Sequence, residues 1–205
     1  FILQLLPKPG ITNFNVKISP PRYTDLQEMV FNNVGDFQVP NGSQVEWSFS
    51  GIDVDSLNIQ FKDSITGEGK LVNNTFLVNY QLFESTAYNV FIKNKVTAKE
   101  LALSYNIEVI PDLYPEIEVI QLKDSFQLTR FFFKGAIGDD YGFLNLNFHY
   151  NINNIDSTIA IPFIRSLNDQ EFYFSFDFST LKEVSGMISY YFTVTDNDRK
   201  SLLKL

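Results

Sequence analysis

Apolar and polar residues alternate with period two through most of this chain, the pattern of strands that bury one face. Asn13-Phe14-Asn15-Val16-Lys17-Ile18 is the first clear case, and Pro20-Pro21 ends it. The stretch to Gly35-Asp36 reads as a polar, irregular loop, and Phe37–Val39 as a short edge-like strand closed by the turn Pro40-Asn41-Gly42. Further strands are expected at Gln44–Phe49, Leu57–Phe61, Phe76–Leu82, Tyr88–Ile92 and Leu101–Val109, with bends at Gly51, Asn58 and Ser64–Gly69. In Gln44–Phe49 the residues Val45, Trp47 and Phe49 share one face, which places the single tryptophan in a core. Ser85-Thr86-Ala87-Tyr88 has the form of a tyrosine corner opening a strand.

Two prolines, in Ile110-Pro111-Asp112-Leu113-Tyr114-Pro115, interrupt the series. Proline lacks a ladder donor and forces its predecessor into extended conformations, so this run suits a short stiff linker. The same pattern resumes beyond it, at Arg130–Ile137, Phe143–Ile152, Ser157–Ile164, Glu171–Phe178 and Met187–Thr195. Phe172, Phe174, Phe176 and Phe178 form one nearly pure phenylalanine face, expected to be buried against Leu144, Leu146, Phe148 and Tyr150. The opposite row of that partner strand is Asn145, Asn147, His149 and Asn151. Short strands at this spacing predict an all-β chain of two tandem immunoglobulin-like Greek-key β-sandwiches: residues 1–110, a linker at 111–115, and residues 116–205.

Composition sharpens the picture. The 205 residues are 44% hydrophobic, with 21 phenylalanines and 10 tyrosines, which favours strands and leaves little expectation of helix. The net charge is −8, and both halves are acidic: 8 basic against 11 acidic residues in 1–110, and 8 against 13 in 111–205. Neither half carries a basic stripe able to neutralise phosphates, so nucleic acid is not an expected partner. The absence of cysteine removes disulfides, thiolate nucleophiles and cysteine-based zinc sites. No apolar run reaches the ~20 residues of a membrane-spanning helix. The runs Phe1-Ile2-Leu3-Gln4-Leu5-Leu6 and Ser201-Leu202-Leu203-Lys204-Leu205 both read as strand-like, as in a piece excised from a longer chain.

Several motifs together resemble one family. Pro20-Pro21-Arg22-Tyr23-Thr24, Asn33-x-Gly35-Asp36 and Val39-Pro40-x-Gly42-Ser43-x-Val45-x-Trp47-x-Phe49 are similar to segments of large uncharacterised bacterial membrane proteins that contain a domain of unknown function. Asp139-Asp140-Tyr141-Gly142 and Tyr190-Tyr191-Phe192-x-Val194-x-Asp196-Asn197-Asp198 match the style of that group's second β-domain. The resemblance implies a periplasmic or extracellular segment of a membrane-anchored protein, partnered by the rest of its own polypeptide or by an envelope protein. It implies no catalytic residues.

Candidate chemistry is sparse. A hydrolytic triad would need His149, the only histidine, which falls on a polar, asparagine-lined strand face. The reading is therefore a non-catalytic spacer or interaction module. The alternative is a carbohydrate- or protein-binding module that uses outward aromatics: Phe132 and Tyr173 on two neighbouring strands, and Tyr191 beside His149 on the other sheet. Finally, sandwich topology is expected to gather Asp112, Glu116, Asp139, Asp140, Asp196 and Asp198 at one pole of the second domain. Some of Asp139, Asp140, Asp196 and Asp198 would there hold a stiffening Ca²⁺ at the interdomain junction, against the alternative that they only cap turns.

Overall fold

The structure, a computed structural model, describes residues 7–62, 66–122, 129–181, 187–198 and 201–204. The strand-like run at residues 1–6 lies outside them. The chain is all-β, with no α-helix among the described residues, and divides into two units, Phe1–Asp112 and Leu113–Leu205. The division falls inside the proline segment 111–115.

Among the described residues, ten strands build the first unit. One sheet has the order β2 (Met29–Asn32), β1 (Gly10–Ser19), β4 (Gln44–Ile52), β8 (Thr75–Gln81), β7 (Lys70–Val72). The other runs β3 (Phe37–Pro40), β10 (Glu100–Ile110), β9 (Thr86–Lys93), β5 (Ser56–Phe61), β6 (Thr66–Glu68). Every pairing is antiparallel except β3 alongside β10. Each sheet contributes alternate residues to one core, Val16, Val45 and Trp47 from the first and Val39, Ile59 and Val90 from the second. Trp47 is fully buried, with ring centroids 5.4 Å from Tyr88, 5.7 Å from Phe61 and 6.3 Å from Phe37.

Tyr88 opens the corner differently from the expected form. Its hydroxyl donates to the carbonyl of Gly35, 2.9 Å away and 53 residues upstream, and not to the backbone just before its own strand. Burial pushes its phenol well above the ordinary value. The polar segment before Gly35 is also more regular than expected. Met29–Asn32 pairs with β1, the expected bend at 64–69, whose residues 64 and 65 lie outside the described ones, holds all of β6, and Asn58, expected at a bend, sits inside β5 opposite Phe91 because the strand runs on through it.

The second unit has a three-stranded sheet, β11 (Glu116–Leu122), β12 (Arg130–Gly138), β15 (Asp169–Asp177), and a four-stranded sheet, β14 (Ile155–Ala160), β13 (Phe143–Ile152), β16 (Ile188–Asp196), β17 (Ser201–Lys204). Phe133, Ile137 and Phe172 from the first sheet meet Leu146, Phe148, Phe192 and Val194 from the second. One expectation needs correction. Leu144 does not share the core row, because the β13–β16 register shifts between Phe143 and Asn145. The bulge turns Phe143 inward, where it is buried, and leaves Leu144 half-exposed. Phe178 likewise leaves the strand for a short 3₁₀ turn, Phe178–Thr180, while its ring stays in edge contact with Phe131 and Phe176.

Two hairpins share a device. Asn73-Asn74 joins β7 to β8 and Asn153-Asn154 joins β13 to β14, and all four asparagines have positive φ, the requirement of a two-residue type I′ turn. Gly135, on the central strand β12, answers a different need. A Cβ there would clash with the edge of the Phe172 ring and lie 2.8 Å from the Glu118 carbonyl.

These cores predict separable effects. Gly135→Ala is expected to destabilise the second unit by about 1–3 kcal/mol, and Trp47→Ala the first by about 3–5 kcal/mol. The single tryptophan reports on the first unit alone, so in a urea titration Gly135→Ala should leave the fluorescence transition in place and lower the rest of the circular-dichroism change. A fluorescence midpoint that moves with Gly135→Ala would show that the units do not unfold independently.

Candidate functional site

The acidic pole of the second unit is assembled from three connections. Residues 139–142 follow β12, residues 164–168 precede β15, and Asn197 and Asp198 follow β16. Asp139 Oδ2 accepts the backbone N–H of Tyr141 at 2.9 Å, an Asx turn that leads into Gly142 at φ +93°. The Asp139 N–H donates to the Asn168 carbonyl at 3.0 Å, and Asn168 Nδ2 donates to the Asp140 carbonyl at 2.7 Å. Asn197 Nδ2 donates to the Tyr141 carbonyl at 2.6 Å, which ties the third connection to the first. From the linker, the Leu113 N–H lies 3.5 Å from Asp140 Oδ2.

Asp139, Asp140, Asp196 and Asp198 are thereby brought to one end of the unit, together with Glu116, whose strand position is opposite Gly138. Asp196 is only 2% exposed, and one of its carboxylate oxygens lies within 4.8 Å of one from Asp198. Burial raises the Asp139 pKa, and the neighbouring carboxylates of Asp140 and Asp198 raise it further against the opposing N–H groups of Tyr141 and Gly142. Turn chemistry accounts for Asp139 Oδ2, while Asp139 Oδ1 and Asp140 Oδ1 are buried atoms without a hydrogen-bond partner. Oxygen donors of this kind fit a hard cation such as Ca²⁺.

The outward aromatics do not form one platform. Phe132 and Tyr173 lie on the same outer face of the three-stranded sheet, where Phe132 is opposite Ser175 and Tyr173 opposite Lys134. Phe132 is half-buried, whereas Tyr173 is 67% exposed. Lys134 Nζ is 2.7 Å from Glu171, whose other oxygen lies 3.3 Å from the Tyr173 hydroxyl, so the ring stands in a small charged network. Tyr191 belongs to the other sheet, stacked on His149 with centroids 4.6 Å apart and planes 10° from parallel.

His149 is held on both sides. Its Nε2 is 2.8 Å from the Thr193 hydroxyl and its Nδ1 2.9 Å from the Thr158 hydroxyl. Burial lowers its pKa, with Asp156 opposing. The two threonines come from β14 and β16, the neighbours of β13 on either side, and only the strand register reveals them. A neutral imidazole donating to one hydroxyl and accepting from the other satisfies both nitrogens without water, an arrangement that positions a ring on a sheet.

No family model and no curated protein matches this chain.

The Asp139 environment sets a pH dependence. A carboxyl whose folded-state pKa is raised holds its proton more tightly when folded, so its contribution to stability is present at low pH and is lost as pH rises through the folded-state value. Asp139→Asn keeps an acceptor for the Tyr141 N–H and removes this titration. Urea denaturation at pH 4 and pH 7 should therefore show the variant gaining stability relative to the natural chain at the higher pH, and an equal or opposite change would remove the assigned cause.

Proposed function

We propose that this chain is a non-catalytic, extracytoplasmic spacer and interaction module of a larger membrane-anchored protein, built as two tandem immunoglobulin-like Greek-key sandwiches. The observation that carries the reading is strand order. In the first unit β1, β4, β8 and β7 follow the A-B-E-D order, and β5, β9 and β10 the C-F-G order, of that fold. In the second, β11-β12-β15 is an A-B-E sheet opposite a sheet in which β13, β16 and β17 take the C, F and G places. Each unit builds a core of its own from its inward aromatic residues. No helix among the described residues is long and apolar enough to cross a membrane, so the proposed anchor is assigned to other parts of the larger protein. The partners in this reading are the rest of that polypeptide or another envelope protein.

A carbohydrate-binding role is the second reading, favoured by the exposed Tyr173 ring and the adjacent Phe132, because stacking on a sugar needs a flat apolar face. Glycan-array binding that disappears in Tyr173→Ala would select it. Turnover on a panel of glycoside, ester and peptide substrates would overturn both readings.

In this reading Ca²⁺ stiffens the acidic pole, with Asp139, Asp140, Asp196 and Asp198 as the ligand pool. The expected result is heat on calorimetric titration with Ca²⁺ and a melting midpoint that falls on adding chelator. No heat and an unchanged midpoint at about millimolar Ca²⁺, the weak end of extracellular sites, would leave turn chemistry as the whole role of these residues.

A further inference from the structure

The outer face of the β11–β12–β15 sheet is divided into two halves. Register places Glu118, Ala136 and Glu171 on one cross-strand row, and Glu116, Gly138 and Asp169 on the next. Carboxylates occupy both flanking strands in each row, and the central strand carries only a methyl group or a hydrogen between them. The result is an open trough of about 480 Å³ with an acidic wall on each side. The next two rows are Ile120, Lys134, Tyr173 and Leu122, Phe132, Ser175. Ile120 is 59% exposed and Leu122 43%, so with Tyr173 and Phe132 they form an apolar patch that continues the trough along the same face.

Neither half suits a sheet face whose only task is stability. Small residues are poor strand formers, and opposite charges facing one another would favour pairing where like charges do not. Lys134 is paired to Glu171 at the border of the two halves, whereas Glu116, Glu118 and Asp169 have no ion pair among the described residues. The two acidic walls stand roughly 9–10 Å apart, two strand spacings, too far for one metal ion that needs ligands at about 2.3–2.6 Å. They do not converge as a metal-binding group among the described residues. That width admits ammonium or guanidinium groups on their alkyl stems. A second copy meeting the same face would set acid against acid, and an anionic lipid surface would be repelled.

We propose that this face docks a cationic amphipathic segment of a partner protein, with lysine or arginine side chains entering the trough and neighbouring apolar side chains covering Ile120, Leu122, Phe132 and Tyr173. The proposal rests on the reading of the chain as an interaction module and names the partner's chemistry.

The probe is a fluorescein-labelled peptide about ten residues long, enough to run the length of the face, with Lys and Arg in one half and Leu and Tyr in the other. Controls are the same peptide with every basic residue replaced by Glu, and the protein variant Glu84→Lys, which makes a single charge reversal of the same kind at an exposed position of the first unit. Fluorescence anisotropy should show binding of the basic peptide alone, weakening as salt is added, with about a tenfold or greater loss of affinity in Glu118→Lys/Asp169→Lys and none in Glu84→Lys. Ala136→Trp, which fills the trough without changing charge, should reduce binding as well, and unchanged melting midpoints show that the variants are folded. Equal binding of the basic and acidic peptides, equal affinity in the trough variants, or no binding of the basic peptide at millimolar concentration would each overturn the proposal. Any of these leaves the non-catalytic reading in place, which falls instead on turnover in the substrate panel.

Discussion

Ring packing between two sheets is the constraint on which both units depend. Trp47 against Tyr88 and Phe61 in the first unit, and Phe148 among Phe133, Phe174 and Phe192 in the second, leave no room for a shifted register. A slip of one residue would exchange every inner ring for its polar neighbour. Backbone features follow from that need. Gly135 makes space for Phe172, and the bulge in β13 brings Phe143 into the core at the expense of Leu144. The bulge is a local departure from regular strand geometry, whereas Gly135 keeps its register and only omits a side chain, and each serves a large buried ring.

Because the inner faces are committed to packing, chemistry is left to the poles and the outer faces, and the two behave differently. At the acidic pole of the second unit, backbone groups meet side-chain oxygens in short turns, and burial of Asp139 keeps its carboxyl from ionising as readily as an exposed one. On the outer faces, side chains are organised in cross-strand rows. His149 between Thr158 and Thr193, with its ring on Tyr191, is a self-satisfied row. The carboxylate rows around Ala136 and Gly138 are not, since among the described residues only Lys134, paired to Glu171, complements their charge.

Much of this was written in the order of residues. Period-two alternation located the long strands, the phenylalanine row of Glu171–Phe178 marked an inward face on which Phe172 is buried and Phe174, Phe176 and Phe178 are only partly so, and the proline pair marked the segment within which the chain divides. Those signals are local, because alternation reports which side of a strand is buried whatever it pairs with. The Asn73-Asn74 and Asn153-Asn154 hairpins were not anticipated, although a pair of asparagines between strands suits positive φ at both positions and is an equally local signal. The short strands Met29–Asn32 and Lys70–Val72 were not, being too brief and too exposed to show a period.

What sequence alone determined was therefore the all-β character, the inner and outer rows of the long strands, and the acidic turn residues that tertiary contacts then draw together. Pairing decided the rest. Glu118 and Glu171 are 53 positions apart in sequence, and nothing near either announces the other until Ala136 is placed between them. The same holds for the threonines that clasp His149 and for the Gly35 carbonyl that accepts the Tyr88 hydrogen bond. Register is a property of two strands and a shared core, set by how rings of particular size fit together, so it exists only once the sheets have closed on one another.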